Sequence, residues 1–339
     1  MRALAALLAQ SLLYPDRQNT GARTAFWVLK SLVALAVILY VGDRISDQPA
    51  SVWTAARLGV WTRPGWIAAA ALLLLPNLGL EALKWQTLMR RYYPDIRLGE
   101  AIQAVLAGMA TGIFTPNRVG EYVGRMLYLH PGNRTEAGVY TFINRYAQLM
   151  PTLTGGAIAL VWLIQTYGVF PGVSAGRLQG LAILTIVLSG VAGLTSLLVG
   201  YWFRHNQETD SRWHRIFTAL GHLDVSLSLV ALALSTLRYG VFSAQYVLLL
   251  YAFGYGGPLP LALACVGLVF LIKTGIPSIS LAELGIRESV ALAVMVPLGL
   301  SVPVVLGATF VLYLLNLALP ALIGVGFVYR IRAEWPRSL

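Results

Sequence analysis

The apolar residues of this chain arrive in blocks of about 18 or more, the length of helix that crosses the hydrocarbon core of a bilayer. Six blocks meet that length, at 24–41, 65–89, 136–167, 178–203, 225–253 and 302–329. A water-soluble domain has no interior large enough to hide them. Composition agrees: 57% of residues are apolar and 12% charged, where soluble domains carry about 25% charged residues. Mean hydropathy is +0.69. The expected fold is an all-α polytopic membrane protein with six full transmembrane helices.

Two further apolar regions, 101–128 and 260–297, are interrupted near their middles by glycine, proline and polar residues. Their halves of about 12–16 residues are short for a crossing. Broken or re-entrant helices are the economical reading. Such backbone survives at membrane depth only where protein or a water-filled cavity covers it. The organisation expected is an N-terminal cytoplasmic amphipathic segment over 1–23, one transmembrane domain over 24–330, and a cytoplasmic tail over 331–339. The run Ala3–Leu13 lacks a small-residue cleavage site and reads as a surface helix rather than a signal peptide.

The net charge of +11 invites a nucleic-acid reading, but its placement points elsewhere. If both broken regions return to the side they entered, one face carries Arg2, Arg17, Arg23, Arg90, Arg91, Arg97, Arg134, Arg204, Arg212, Arg215, Arg330, Arg332 and Arg337. The other carries Arg44, Arg57, Arg63 and Arg177. The positive-inside rule then puts both termini in the cytoplasm of a cell-membrane protein. Topology accounts for the basicity, and no nucleic-acid partner is expected. A single cysteine, Cys265, excludes an intramolecular disulfide.

Ionisable groups inside a bilayer are costly and mark cavities, partners or substrate paths. The first break reads Gly108-Met-Ala-Thr-Gly112-Ile-Phe-Thr-Pro116-Asn117-Arg118-Val-Gly120-Glu121-Tyr122-Val-Gly124-Arg125. The second reads Lys273-Thr-Gly275-Ile-Pro277-Ser278-Ile-Ser280-Leu-Ala-Glu283-Leu-Gly285-Ile-Arg287-Glu288. Both open on Thr-Gly-Ile, reach a proline, and set a glutamate four residues before an arginine, on one helical face. Similar elements entering from opposite faces are the mark of an inverted repeat, whose site lies where the repeats meet. The GxxxG spacings Gly108/Gly112 and Gly120/Gly124 read as close helix packing.

Further polar clusters are Asn77, Glu81 and Lys84 on one helix face, Asn144-Arg145 in the 136–167 helix, Arg238 in the fifth span and Asn316 in the last. Each has a plainer reading. Glu121–Arg125 is also a self-satisfied pair that locks a broken helix, and Glu81–Lys84 an interfacial i,i+3 pair. Lys273, Glu283, Arg287 and Glu288 also suit a closed structural network, and Arg145 a snorkelling side chain. Trp53, Trp61, Trp66, Trp162 and Trp202 read as an interfacial belt.

Asn77…Glu81…Lys84-Trp85, then Thr115-Pro116-Asn117-Arg118-Val119-Gly120-Glu121…Gly124-Arg125, then Asn144-Arg145, and finally Pro277…Gly285-Ile286-Arg287-Glu288 resemble the flippase-like transmembrane family. That family includes the membrane region of lysylphosphatidylglycerol synthases and stand-alone relatives, and the resemblance runs from about residue 65 to 330. It implies a polytopic fold with lipid translocation as the leading activity. No soluble synthase domain follows in this sequence, so aminoacyl transfer is not expected.

The function expected is transport of an anionic or phosphate-bearing lipid, phospholipid or polyprenyl-phosphate-linked, between leaflets. The substrate-binding residues expected are Asn77, Glu81, Lys84, Asn117, Arg118, Glu121, Arg125, Arg145, Lys273, Glu283, Arg287 and Glu288. Arginine's planar fork suits phosphate oxygens. No catalytic or metal-binding constellation stands out: the four histidines lie in loops without ligand spacing, and there is no HExxH, nucleophile elbow or P-loop. No cofactor is expected. The membrane lipid is the expected partner, with room for a homo-oligomer and for a separate lipid-modifying enzyme. An intramembrane lipid-modifying transferase and a transporter of a small water-soluble anion are the alternatives.

Overall fold

The computed structural model describes the chain from residue 62 to 330, apart from 114, 116–117, 128–133, 169–174, 206–217, 219, 222 and 277–282. Before residue 62 it describes scattered positions alone, so the expected N-terminal surface helix over 1–23 lies outside the described residues, and of the 24–41 span only Val28, Ser31, Leu32, Leu35 and Leu39 are described, each helical and exposed. Among the described residues there is no strand.

The helices, in chain order, are α1 (Pro64–Leu72), α2 (Leu74–Met89), α3 (Leu98–Gly112), α4 (Gly120–Leu127), α5 (Arg134–Tyr167), α6 (Ala175–His205), α7 (Val225–Ala252), α8 (Leu259–Gly275), α9 (Glu283–Met295), α10 (Val302–Tyr313) and α11 (Leu319–Arg330). Helices long and apolar enough to span cover Pro64–Met89, Glu136–Tyr167, Gly176–Thr195, Val225–Ala252 and Val302–Tyr329. These are the expected spans after the first, and the chain is a multi-pass helical membrane protein.

Two spans are interrupted at prolines. Pro76 has no N–H to offer Leu72, which accounts for the one-residue turn at Leu73 between α1 and α2. The ladder resumes as Asn77 N–H bonds Leu73 O at 3.1 Å. Pro320 likewise has no N–H for the carbonyl of Asn316, and the chain answers with a wide π turn over Leu314–Ala318, joining α10 to α11. Both interruptions place asparagine, Asn77 and Asn316, at the disturbed turn.

The two ends of the bundle are fixed by side-chain contacts. At one end Arg91 pairs with Asp224 at 3.9 Å, and the Tyr92 and Tyr140 rings stand 5.5 Å apart. The end of α2 and the starts of α5 and α7 share this face. At the other end Arg63 Nη1 donates to Tyr251 O at 2.6 Å, and Trp66 lies 5.5 Å from the Tyr251 ring. The Tyr251 ring lies tilted against Tyr255 at 5.3 Å, and Trp162 meets Tyr167 edge-to-face at 5.9 Å. These rings form an aromatic rim of the kind that seats at a membrane–water boundary.

The broken regions turn back on themselves. The α3–α4 hairpin leaves the Arg91 end at Leu98 and returns there to begin α5 at Arg134. Its arms lie almost in backbone contact. A Cβ on Gly108 would meet Arg125 Cγ at 2.9 Å, and one on Gly124 would meet Gly108 Cα at 2.6 Å. The GxxxG spacings are packing surfaces, as small residues are elsewhere between membrane helices. Thr111 stitches the arms, donating to Gly120 O at 2.8 Å, and Thr115 Oγ1 accepts from Gly120 N–H at 2.7 Å. The second region begins at Leu259, just after Tyr255, and ends on the same side, since a Cβ on Gly254 would meet Val304 Cγ2 at 3.9 Å and one on Gly307 would meet the Phe253 ring at 2.8 Å. At the tips, Ile113 of the first region and Leu284 of the second are buried together with Phe310 and Tyr313.

The outward surface is hydrocarbon-like. On α6, Leu181, Ile183, Leu184, Val187, Leu188, Val191, Leu194 and Leu198 are all exposed. A face of that size cannot stand in water, and lipid is its natural cover.

Candidate functional site

The first break closes a tight loop before α4, and it does so at a conformational cost. Arg118 sits at φ 57°, in the left-handed region that side-chain-bearing residues rarely enter. Its N–H bonds Thr115 O at 3.0 Å, and its own carbonyl accepts from Glu121 N–H at 3.0 Å. Strain of this kind persists where the surroundings fix it, and it collects at functional sites. Here it launches α4 with Glu121 and Arg125 facing the interior.

Two buried carboxylates organise what lies there. Glu121 on α4 takes Arg145 Nη2 from α5 at 2.5 Å, Arg118 Nη1 at 3.4 Å and Arg125 Nη2 at 3.5 Å. Glu81 on α2 takes Arg125 Nη2 at 2.7 Å, Lys84 Nζ at 3.3 Å and Arg238 Nη1 from α7 at 3.5 Å. Asn144 Nδ2 adds a hydrogen bond to Glu81 at 2.8 Å. Arg125 is the hinge between the two centres, and its shorter contact is to Glu81 rather than to its helical neighbour. The sequence spacing alone suggested a self-contained Glu121–Arg125 pair; α4 packed against α2 supplies a closer acid. Glu81–Lys84 is likewise no interfacial pair, for the Lys84 side chain is 0% exposed and also reaches Ser235 at 3.1 Å and Gln148 at 3.2 Å.

The network extends as neutral amides toward the opposite end of the bundle. Gln148 Oε1 accepts from Arg238 at 3.2 Å, and Arg238 Nε donates to Asn77 O at 3.3 Å. Asn77 Nδ2 donates to Asn316 at 2.5 Å, Asn316 Nδ2 to Gln245 at 2.9 Å, and Gln245 Nε2 to Ala70 O at 2.8 Å. The π turn around Asn316 thus lies in the middle of this polar seam.

Lys84, Arg118, Arg125, Arg145 and Arg238 gather five cationic side chains around Glu81 and Glu121 among the described residues. Arginine forks gathered in this way suit an anion with several oxygens. Access is uneven. Arg118, Arg145 and Arg238 side chains are 24%, 31% and 27% exposed, while Arg125 is at 2%. The open arginines are placed to exchange partners, and the closed cations hold the framework. Arg125 Nε and Nη1 and Arg145 Nε are buried and find no acceptor among the described residues.

The structure therefore brings Asn77, Glu81, Lys84, Arg118, Glu121, Arg125 and Arg145 together. Asn117 lies outside the described residues, as does the Glu283 side chain. Lys273 stands on α8, and Arg287 and Glu288 on α9, beside the second break. Arg238 enters the network without having been placed there by sequence. So do Gln148, Ser235 and Gln245. The signal was present as stripes: Thr141, Asn144, Arg145 and Gln148 follow helical spacing on α5, as do Ser235, Arg238 and Gln245 on α7. Among the described residues no group of three or more His, Cys, Asp or Glu side chains could hold a metal ion.

A family model described as the lysylphosphatidylglycerol synthase TM region matches residues 27–324. No curated protein matches the chain.

Proposed function

The chain belongs to the family of lysylphosphatidylglycerol synthase transmembrane regions, and from that premise we propose that it is a lipid transporter, moving an anionic or phosphate-bearing lipid between leaflets. The observation that carries this reading is the cluster of five cationic side chains around Glu81 and Glu121, set within a lipid-facing helical shell. In the empty site each carboxylate holds its arginines in register and limits their mutual repulsion. An arriving headgroup offers oxygens to Arg118 and Arg145, whose forks bind phosphate in plane. Its acyl or isoprenoid chains remain in lipid beside the bundle. The amide seam through Asn77, Asn316 and Gln245 is the route by which polar contact continues toward the Arg63 end.

In this reading the Arg91 end faces the cytoplasm of the cell membrane and the two broken regions form an inverted repeat. The chain itself transfers no chemical group; any modification of the lipid falls to a separate enzyme.

The test is reconstitution of the purified protein into vesicles holding leaflet-reporting fluorescent lipids. Protein-dependent movement of labelled phosphatidylglycerol, phosphatidate or polyprenyl phosphate is expected, and Arg118→Ala should abolish it in protein that remains folded. Folded protein that leaves all three in place would overturn the reading. Headgroup-indifferent uptake of a soluble anion would replace it with anion transport, and a change in lipid mass would replace it with group transfer.

A further inference from the structure

We infer that Arg238 is a second binding station for the anionic headgroup, at mid-depth, to which the headgroup passes from Arg145. The inference rests on the lipid-transport reading and names a step within it. Its first ground is depth. Helix α7 runs from Val225 to Ala252, from the Arg91–Asp224 end to the Arg63–Tyr251 end. At about 1.5 Å per residue, Arg238 lies roughly 20 Å from either end. Its partners are also deeper than those of Arg145. Gln148 stands one turn beyond Arg145 on α5, and Asn77 one turn beyond Glu81 on α2, each toward the Arg63 end.

The second ground is the direction in which Arg238 opens. Its side chain is part-exposed, in the middle of a span where a guanidinium facing hydrocarbon is costly. Its head nonetheless sits inside the bundle, between Glu81 and Asn77 of α2 and Gln148 of α5. On α7, Ser235 one turn before it and Gln245 two turns after it are fully buried, while the lipid side is marked by exposed Leu237. The open surface of Arg238 therefore faces an internal polar space. Arg145 and Gln148, both part-exposed and one turn apart on α5, line the way to it. Beyond Arg238 the space closes at buried Asn77 and Gln245.

The third ground is how loosely Arg238 is held. Its contacts to Gln148 at 3.2 Å, Asn77 O at 3.3 Å and Glu81 at 3.5 Å are all long. Glu81 holds Arg125 at 2.7 Å and Asn144 at 2.8 Å, so it keeps its shortest partners when Arg238 turns away. The Arg238 fork is thus free to take the oxygens of an anionic headgroup without stranding the acid. A headgroup leaving Arg145 would otherwise meet neutral amides alone; a cation at mid-depth keeps it paired.

Two readouts separate a transfer station from a loading site. Purified full-length protein in phosphatidylcholine nanodiscs is titrated with labelled phosphatidylglycerol, phosphatidate and polyprenyl phosphate, and each label is followed between leaflets in vesicles. For the lipid that wild type moves, Arg238→Gln should slow movement at least about tenfold while binding stays within about twofold, as for one charge-assisted hydrogen bond lost after loading. Arg145→Gln should weaken binding itself. Arg238→Lys, which keeps the charge, should recover part of the lost rate, and a thermal melt confirms folding of each variant. The space is also tested apart from lipid. Arg238→Cys should react with a charged methanethiosulfonate, which needs a water-exposed thiolate, from one membrane face, in intact cells or inverted membranes. Leu237→Cys on the lipid side should stay unreactive, and native Cys265 is fully buried.

Arg238→Gln that moves lipid at the wild-type rate overturns the inference and leaves lipid transport standing. So does a loss of binding equal to that of Arg145→Gln, which would make the two arginines one site. An Arg238→Cys that is unreactive from both faces overturns it by removing the polar space. If no lipid moves but vesicles take up inorganic phosphate in an Arg238-dependent manner, the station stands for a soluble anion and the lipid-transport reading falls.

Discussion

Arg118 pays for its position in backbone strain, and this separates its structural from its functional role. At φ 57° a glycine would sit without penalty. Arg118→Gly is therefore expected to raise stability by about 1 kcal/mol while reducing lipid movement, read by a thermal melt and the vesicle assay on one preparation. Glu81 and Arg125 make the complementary case. Removing the acid leaves Lys84, Arg125 and Arg238 without their shared counter-ion, and stranding buried charge costs about 3–5 kcal/mol. Removing Arg125 leaves each carboxylate with two other cations, so the loss is nearer the about 1–3 kcal/mol of its hydrogen bonds. Glu81→Gln should consequently melt well below Arg125→Gln; the reverse order would show that Glu81 is not the counter-ion on which these cations depend. Single residues of this kind were legible in the sequence because an intramembrane charge stands out against an apolar run. Their partners were not. Glu81 meets Arg125, Asn144 and Arg238 across long stretches of chain, and periodicity says which face of a helix is polar, never which helix it faces.

At the scale of elements, the two breaks look alike in sequence and differ in packing. Gly108, Gly112, Gly120 and Gly124 let α3 and α4 touch, and each would place a Cβ inside a neighbour. At Gly275 and Gly285 a Cβ meets no described atom within 4 Å. Gly124→Ala should thus destabilise by about 1–3 kcal/mol through overpacking, and Gly285→Ala should be close to neutral, compared by thermal melts in detergent. The shared Thr-Gly-Ile and the Glu/Arg spacing were readable in one dimension, but whether a glycine is a packing surface depends on what the third dimension brings against it. The α10–α11 junction is a second element whose shape carries its role. Pro320 forces the π turn, and the turn presents Asn316 to both Asn77 and Gln245. Asn316→Leu should strand those two amides at about 1–3 kcal/mol and slow lipid movement more than binding, which a comparison of nanodisc titration with the vesicle rate would register.

For the whole molecule, the sequence blocks located the described spans, and charge asymmetry predicts their orientation. What sequence could not supply was the uneven opening of the site. Of its part-exposed arginines, Arg118 lies in the break that enters from the Arg91 end, Arg145 on α5 and Arg238 on α7, whereas Asn77 and Gln245 in the seam toward the Arg63 end are buried. The expectation is that such a site admits its ligand from the Arg91 end, the face that the positive-inside rule predicts to be cytoplasmic. Cysteine mapping tests both statements at once, because the native Cys265 is fully buried and contributes little background. Gly99→Cys marks the Arg91 end and Gly256→Cys the Arg63 end; both positions are exposed and have space for a side chain. In intact cells a membrane-impermeant maleimide should label Gly256→Cys and spare Gly99→Cys, and in inverted membranes the pattern should exchange. Arg145→Cys should follow Gly99→Cys, since a site open to the Arg91 end is reached from that side. If Arg145→Cys labels with Gly256→Cys instead, the charged network opens outward, and the direction in which a headgroup first meets it must be reversed.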